Sequence, residues 1–414
     1  MTESDIRGNS RGIARGFAGV TIAGLLGNVF AYLLLLLAAR TLNPPDYSVL
    51  ITLLNLLLVG SIPSFALQAV AARRVATATG HALRDAGLAV GLTAAVIMTA
   101  ASPMISAFLH LDGVIGPILV ALALPGIALQ GLSQGIWQGR ENFGALAVTT
   151  FIGIAGRFGP AVIVILVGGS SIPALLAIVT GVTIAALASA WPLSELRGHA
   201  HRGVGQLVPS MVESIHASHG YGAFLLLSVS DLLLARHVLP AASAAVYAAG
   251  SVLTKAALWV PQSVASVLFA SLTDQARHRS VFLRAVGGLA LLGAALTAGS
   301  ALLGGLVAIV VGGNRYPQLG HQIWLFAALG SCLAIIQFTL VAGLAMRRTR
   351  VVALIWACII AEAVAVLTQH DHARVGSVVG SVLVVNILGI LGAVLLTARA
   401  GREPRNSREG DPIP

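Results

Sequence analysis

Four ionisable side chains stand inside stretches that are otherwise apolar: Arg157, Glu213, Lys255 and Glu362. A charge at the middle of a bilayer costs on the order of 3 kcal/mol or more when it faces lipid, so each must face a protein interior or a watered cavity. Two cations and two anions admit two readings: buried ion pairs that fix helix packing, or the lining of a substrate cavity. The cavity is the working expectation. The stretch around Glu213 also carries His216, Ser218, His219 and Tyr221, too polar a face for lipid. His216 and His219 therefore join the interior candidates, as neutral hydrogen-bonded rings or, alternatively, as pH-responsive ones. Asn28 and Tyr32 add polar groups to the first apolar stretch.

Other chemistry is poorly represented. His199 and His201, and His370 and His372 around Asp371, lie in polar breaks with too few further ligands for a metal site, so no metal or cofactor is expected. Cys332 and Cys358 both sit within apolar stretches and read as small hydrophobes rather than a disulfide. There is no DxD or HExxH motif, and the only lysine follows Thr254, so a Walker A loop cannot be formed. An enzyme is not expected.

The elements that must position these groups follow from composition. The chain has 414 residues, is 57% hydrophobic and only 10% charged, and has a mean hydropathy of +0.90, against roughly 25% charge in soluble domains. Its apolar runs exceed the length needed to cross a bilayer and recur from end to end. They predict an all-α polytopic protein of twelve spans, near 17–39, 47–71, 86–109, 114–137, 145–168, 172–193, 207–230, 244–272, 283–311, 322–345, 351–368 and 376–398. A net charge of +10 does not imply nucleic acid here, because the bases cluster between spans on alternate sides. One side collects Arg7, Arg11, Arg15, Arg73, Arg74, Arg84, Arg140, Arg197, Arg202, Arg277, Arg279, Arg284, Arg347, Arg348, Arg350, Arg399, Arg402, Arg405 and Arg408. The other collects Arg40, Arg236, Arg315 and Arg374. That asymmetry predicts that both termini are cytoplasmic.

The division expected is a cytoplasmic tail (1–16), an N-lobe of spans 1–6 (17–193), a cytoplasmic linker (194–206), a C-lobe of spans 7–12 (207–398) and a disordered tail (399–414). An internal repeat supports two lobes. LLLAARTLNPPDYSVLITLLNLLLVGSIPSF can be laid over DLLLARHVLPAASAAVYAAGSVLTKAALWVPQS, aligning Arg40 with Arg236, Pro44 with Pro240 and, after a two-residue insertion, Pro63 with Pro261. The repeats are parallel, since each holds an even number of spans. Prolines 63, 103, 125, 160 and 261 fall inside spans, where each removes a helix hydrogen bond.

The string LLLLLAARTLNPPDYSVLITLLNLLLVGSIPSFALQAVAARRVA resembles the opening of polysaccharide-biosynthesis exporters. QGIWQGRENFGALAVTTFIGIAGRFGPAVIVILV and SDLLLARHVLPAASAAVYAAGSVLTKAALWVPQSVASVLFASLTD are similar to later regions of that family. These are Wzx-type flippases of lipid-linked oligosaccharides, within the multidrug/oligosaccharidyl-lipid/polysaccharide (MOP) exporter superfamily. The resemblance implies a two-lobed, alternating-access transporter of the bacterial plasma membrane. Its substrate would be a polyprenyl-diphosphate-linked oligosaccharide, whose diphosphate Lys255 and Arg157 would hold, with Glu213 and Glu362 balancing them when the cavity is empty; its partners would be membrane lipids and glycan polymerase or assembly proteins. Span 1 lacks the basic residues of related peptidoglycan-precursor flippases, which argues against lipid II. A cation-coupled multidrug exporter of the same superfamily is the alternative, together with a non-transporting member of a glycan assembly complex.

Overall fold

The computed structural model describes residues 3–77, 83–194, 207–269, 278–345, 350–369 and 373–398. Twelve helices are long and apolar enough to cross a membrane. Spans 1 to 6 are Gly19–Thr41, Pro44–Ala76, Leu83–Phe108, Ile115–Gly139, Phe143–Leu166 and Ser171–Ala188. Spans 7 to 12 are His219–Val238, Ala241–Leu258, Phe282–Leu302, Ile323–Leu344, Arg350–Leu367 and Val375–Thr397. The architecture is all-α, in two six-helix lobes. Residues 195–206 of the expected linker and the tail from 399 lie outside the described residues. The first helix starts at Glu3, so the expected tail before residue 17 is a helical extension of span 1. Once a span is formed, adding residues to its end incurs no further nucleation cost.

Side-chain exposure explains why this is a membrane fold. Span 3 turns Leu92, Val96, Ile97 and Met104 outward, span 5 turns Ile163 and Leu166, and span 9 turns Leu291. Such surfaces would drive aggregation in water but match hydrocarbon. Spans 7 and 10 are the most enclosed. In the first lobe span 3 packs on span 4, and span 5 packs on spans 1 and 6. In the second, span 10 is the hub for spans 8, 9 and 12, while spans 7, 11 and 12 pack together. The lobes meet chiefly where span 2 lies against spans 7 and 8.

Two irregularities shape the interior. Span 2 is two helices, Pro44–Gly60 and Ile62–Ala76, joined at Ser61. Pro63 falls in the first turn of the second helix, where its missing N–H is not needed, and the Ser61 hydroxyl donates to Leu58 O at 2.7 Å. Pro103, Pro125 and Pro160 are spanned by uninterrupted helices, and the side chain of Pro261 lies outside the described residues. Span 4 carries Gly131, Gly135 and Gly139, spaced four apart on one face. A Cβ on Gly131 would come within 2.6 Å of Ser64 O, and those on Gly135 and Gly139 would collide with Gln68 O and Ala72 O. This stripe lets span 4 lie directly on the second half of span 2.

Span 9 differs from its sequence expectation. The apolar run to 311 is split at Leu303, and a short helix, Gly304–Gly312, follows. Gly304 and Gly305 weaken the helix at that point, and Gly304 presses on Gly320 O so closely that a Cβ would not fit. Gly313, at φ +62°, turns the chain away.

Candidate functional site

A cavity of about 380 Å³ opens between the lobes. Span 1 contributes Asn28, span 2 Asn55, span 5 Arg157 and span 8 Ser251 and Lys255. The rest of the wall is apolar, including Leu35, Ile51, Leu54, Leu57, Leu58, Phe158 and Val252. Asn55 Nδ2 and the Ser251 hydroxyl each donate within their own helices, to Ile51 O and Ala248 O. Arg157 and Lys255 are half-buried, and among the described residues neither makes a hydrogen bond or ion pair. One cation from each lobe thus faces the same space, and among the described residues no carboxylate lines it. Such a surface could attract an anion, because Coulomb attraction grows as water is excluded.

The other sequence candidates sit elsewhere. Tyr32 is not in the cavity wall; its hydroxyl donates across the lobe interface to Val252 O at 3.5 Å. His219 is exposed and stacks on Trp356 of span 11, with centroids 5.9 Å apart. The side chains of Glu213 and His216 lie outside the described residues. Glu362 is fully buried away from the cavity, accepting from Ser230 Oγ and Asn386 Nδ2, each at 2.6 Å. It therefore does not balance Arg157 or Lys255 through contact. The acidic neighbour whose charge Lys255 feels is Asp231, a buried residue that accepts from the Tyr247 hydroxyl at 2.9 Å. Sequence reading placed Asp231 just beyond span 7; the helix runs on to Val238 and encloses it.

The Glu362 arrangement makes a stability prediction. Asn386→Leu leaves one carboxylate oxygen without its donor inside hydrocarbon, an expected cost of about 1–3 kcal/mol. Thermal unfolding in detergent should show a lower Tm, and Glu362→Leu combined with Asn386→Leu should recover much of it. An unchanged Tm in the single variant would mean that the bond contributes nothing.

At the end of the lobe interface where spans 1 and 7 terminate, arginines close the gap. Arg236 reaches across to the first lobe, donating from Nε to Leu109 O at 3.1 Å, from Nη2 to His110 O at 3.2 Å and from Nη1 to Ser48 Oγ at 3.1 Å. Arg40 reaches the opposite way, from Nη2 to Val310 O at 2.6 Å and Ile309 O at 3.4 Å. Each therefore caps the carbonyl end of the helix, or helix extension, that closes the other lobe's third span. The repeat that aligns Arg40 with Arg236 thus reappears as a two-fold pair of cross-lobe contacts. Arg315 adds a bond to Leu42 O at 2.7 Å, and Tyr47 meets Tyr316 with centroids 6.1 Å apart. Burial pushes the Tyr316 phenol up to about 12, so it stays neutral at any physiological pH.

The twelve-helix, two-lobed fold with a cavity between the lobes is that of the MOP transporters. The chain superposes on an inward-facing multidrug resistance MATE family transporter of the MOP superfamily with a TM-score of 0.70 at 12% identity, covering 94% of this chain and 97% of that one. It superposes on the lipid II flippase MurJ, in an inward closed conformation, with a TM-score of 0.73 at 9% identity, covering 92% and 87%. An outward-facing MATE transporter over the same coverage gives 0.59 at 12% identity. No family model matches the sequence, and no curated protein matches it.

Proposed function

We propose that this protein is a flippase that moves a polyprenyl-diphosphate-linked oligosaccharide across the bacterial plasma membrane by alternating access. The observation that carries this reading is the pair of cations, Arg157 and Lys255, which make no hydrogen bond or ion pair among the described residues and are presented by opposite lobes to one largely apolar cavity. A diphosphate competes for such cations, whereas a neutral sugar does not, and the polyprenyl tail can stay in lipid. The MOP fold supports transport as the general activity. The test is deletion of the gene followed by leaflet-resolved analysis of lipid-linked sugars. Accumulation in the inner leaflet is expected, and an unaltered distribution would overturn the reading, leaving a non-transporting role in a glycan assembly complex.

A second reading, a cation-coupled multidrug exporter, draws on the buried Asp231 and Glu362 in the second lobe. It requires acidic groups for cationic drugs, and the described cavity wall has none. Raised drug sensitivity on deletion, with normal lipid-linked sugars, would favour it.

The orientation proposed places both termini in the cytoplasm and Arg40, Arg236 and Arg315 outside, on the strength of the basic asymmetry. Single cysteines in a background lacking Cys332 and Cys358 test it. A cysteine at 346–349 should be shielded from an impermeant reagent in intact cells and one at 370–372 should react; the reverse pattern would invert the topology.

A further inference from the structure

Behind Arg157, inside the first lobe, lies a second cavity of about 210 Å³ bounded by spans 2, 4 and 5. It shares Ile154, Arg157 and Phe158 with the central cavity, so the guanidinium belongs to both walls. Its chemistry is unlike that of the central cavity. Gln68, Gln130 and Gln134 line it together with two aromatic rings, Phe65 and Phe158. Gln130 is 5% exposed, yet its Nε2 has no hydrogen-bond partner among the described residues. An unpaired amide donor within a membrane is costly. Gln134, one helical turn on, makes no side-chain hydrogen bond among the described residues, and Gln68 has only a long 3.4 Å bond to Gln138. Gly153 opposite leaves room for the Gln130 amide: a Cβ there would come within 3.2 Å of Oε1.

Three amides with spare donors and acceptors suit a ligand that is neutral and rich in hydroxyls. A side-chain amide offers a donor and an acceptor in one plane, matching two adjacent hydroxyls, and an aromatic ring covers the apolar C–H face of a pyranose. The volume is below the roughly 300–1,000 Å³ of drug-sized sites and suits one ring. We propose that this pocket is a sugar subsite that takes the hexose joined directly to the diphosphate. With the diphosphate on Arg157, the first sugar is the next group along the substrate, and this pocket adjoins the same guanidinium. The inference rests on the flippase reading for its substrate.

The test uses the full-length protein in nanodiscs with three probes: a polyprenyl diphosphate bearing one N-acetylhexosamine, the bare polyprenyl diphosphate, and methyl hexopyranosides followed by saturation-transfer NMR. The wild type is expected to bind the glycosylated lipid at least tenfold more tightly than the bare one. Gln134→Leu should bring the glycosylated lipid down to the affinity of the bare lipid, and Gly153→Ala, which narrows the pocket without removing a polar group, should do the same. Arg157→Gln should weaken both lipids. Equal binding of the two lipids to the wild type, or a sugar preference that survives both Gln134→Leu and Gly153→Ala, would overturn the subsite while leaving the flippase reading intact. Methyl glycosides that bind the wild type and not Gln134→Leu, with neither lipid bound, would keep the sugar pocket and sink the flippase reading.

Discussion

Replacing Lys255 or Arg157 with glutamine is expected to lower export of lipid-linked sugar by about 10- to 100-fold each, while the protein stays folded and inserted. A hydrogen bond to a charged group contributes about 1.5–3 kcal/mol, and each 1.4 kcal/mol is about tenfold in binding. The retained fold is the discriminating half of this expectation. Removing one member of a buried ion pair strands its partner and destabilises strongly. Arg157 and Lys255 have no such contact among the described residues, so nothing is stranded except, in part, Asp231, which keeps the Tyr247 hydroxyl. Membrane level and Tm should therefore change little, in contrast to Asn386→Leu. Normal export by a stable Lys255→Gln, Arg157→Gln double variant would show that the cavity cations are not where substrate is held.

Loss of the arginine seal should have the opposite character, changing which side the cavity opens to rather than what it holds. Arg236→Ala removes three cross-lobe hydrogen bonds, two to backbone carbonyls. At about 0.5–1.5 kcal/mol each, their sum is of the order needed to move a conformational equilibrium by tenfold or more. A cysteine at Asn28, in the cavity wall, then reports the shift: its labelling by an impermeant reagent from outside should rise severalfold in Arg236→Ala, and further with Arg40→Ala added. The complementary experiment joins cysteines introduced at residues 40 and 310 with a bifunctional thiol cross-linker. Full export with that link closed would count against alternating access.

Much of this was legible before any coordinates because hydrocarbon imposes strict bookkeeping on a sequence. Twelve runs long enough to span, with bases on alternate sides, left little freedom in the architecture. The split after Leu303 escaped, since Gly304 and Gly305 do not interrupt hydropathy and only the contact with Gly320 shows why the helix stops there. At the site, a cation inside an apolar run is conspicuous, and Arg157, Lys255 and Asn28 do share one cavity wall. Glu362 was visible as a buried acid, but its bonds to Ser230 and Asn386 join three distant spans and have no local signature. Asp231 was missed through a boundary set too early in span 7. The three glutamines were missed for a different reason. A neutral amide perturbs hydropathy far less than a charge, and Gln68 meets Gln130 and Gln134 only because the glycine stripe of span 4 lets two helices touch.

The acceptors of Arg236 and Arg40 are backbone carbonyls at residues 109, 110, 309 and 310, with Ser48 the exception. A carbonyl is supplied by whatever amino acid occupies the position. Substitution at these four sites leaves the latch standing as long as the helix ends stay in place, whereas loss of either arginine does not. Inheritance of these two latches thus rests on two codons, leaving the facing backbone free to carry other side chains.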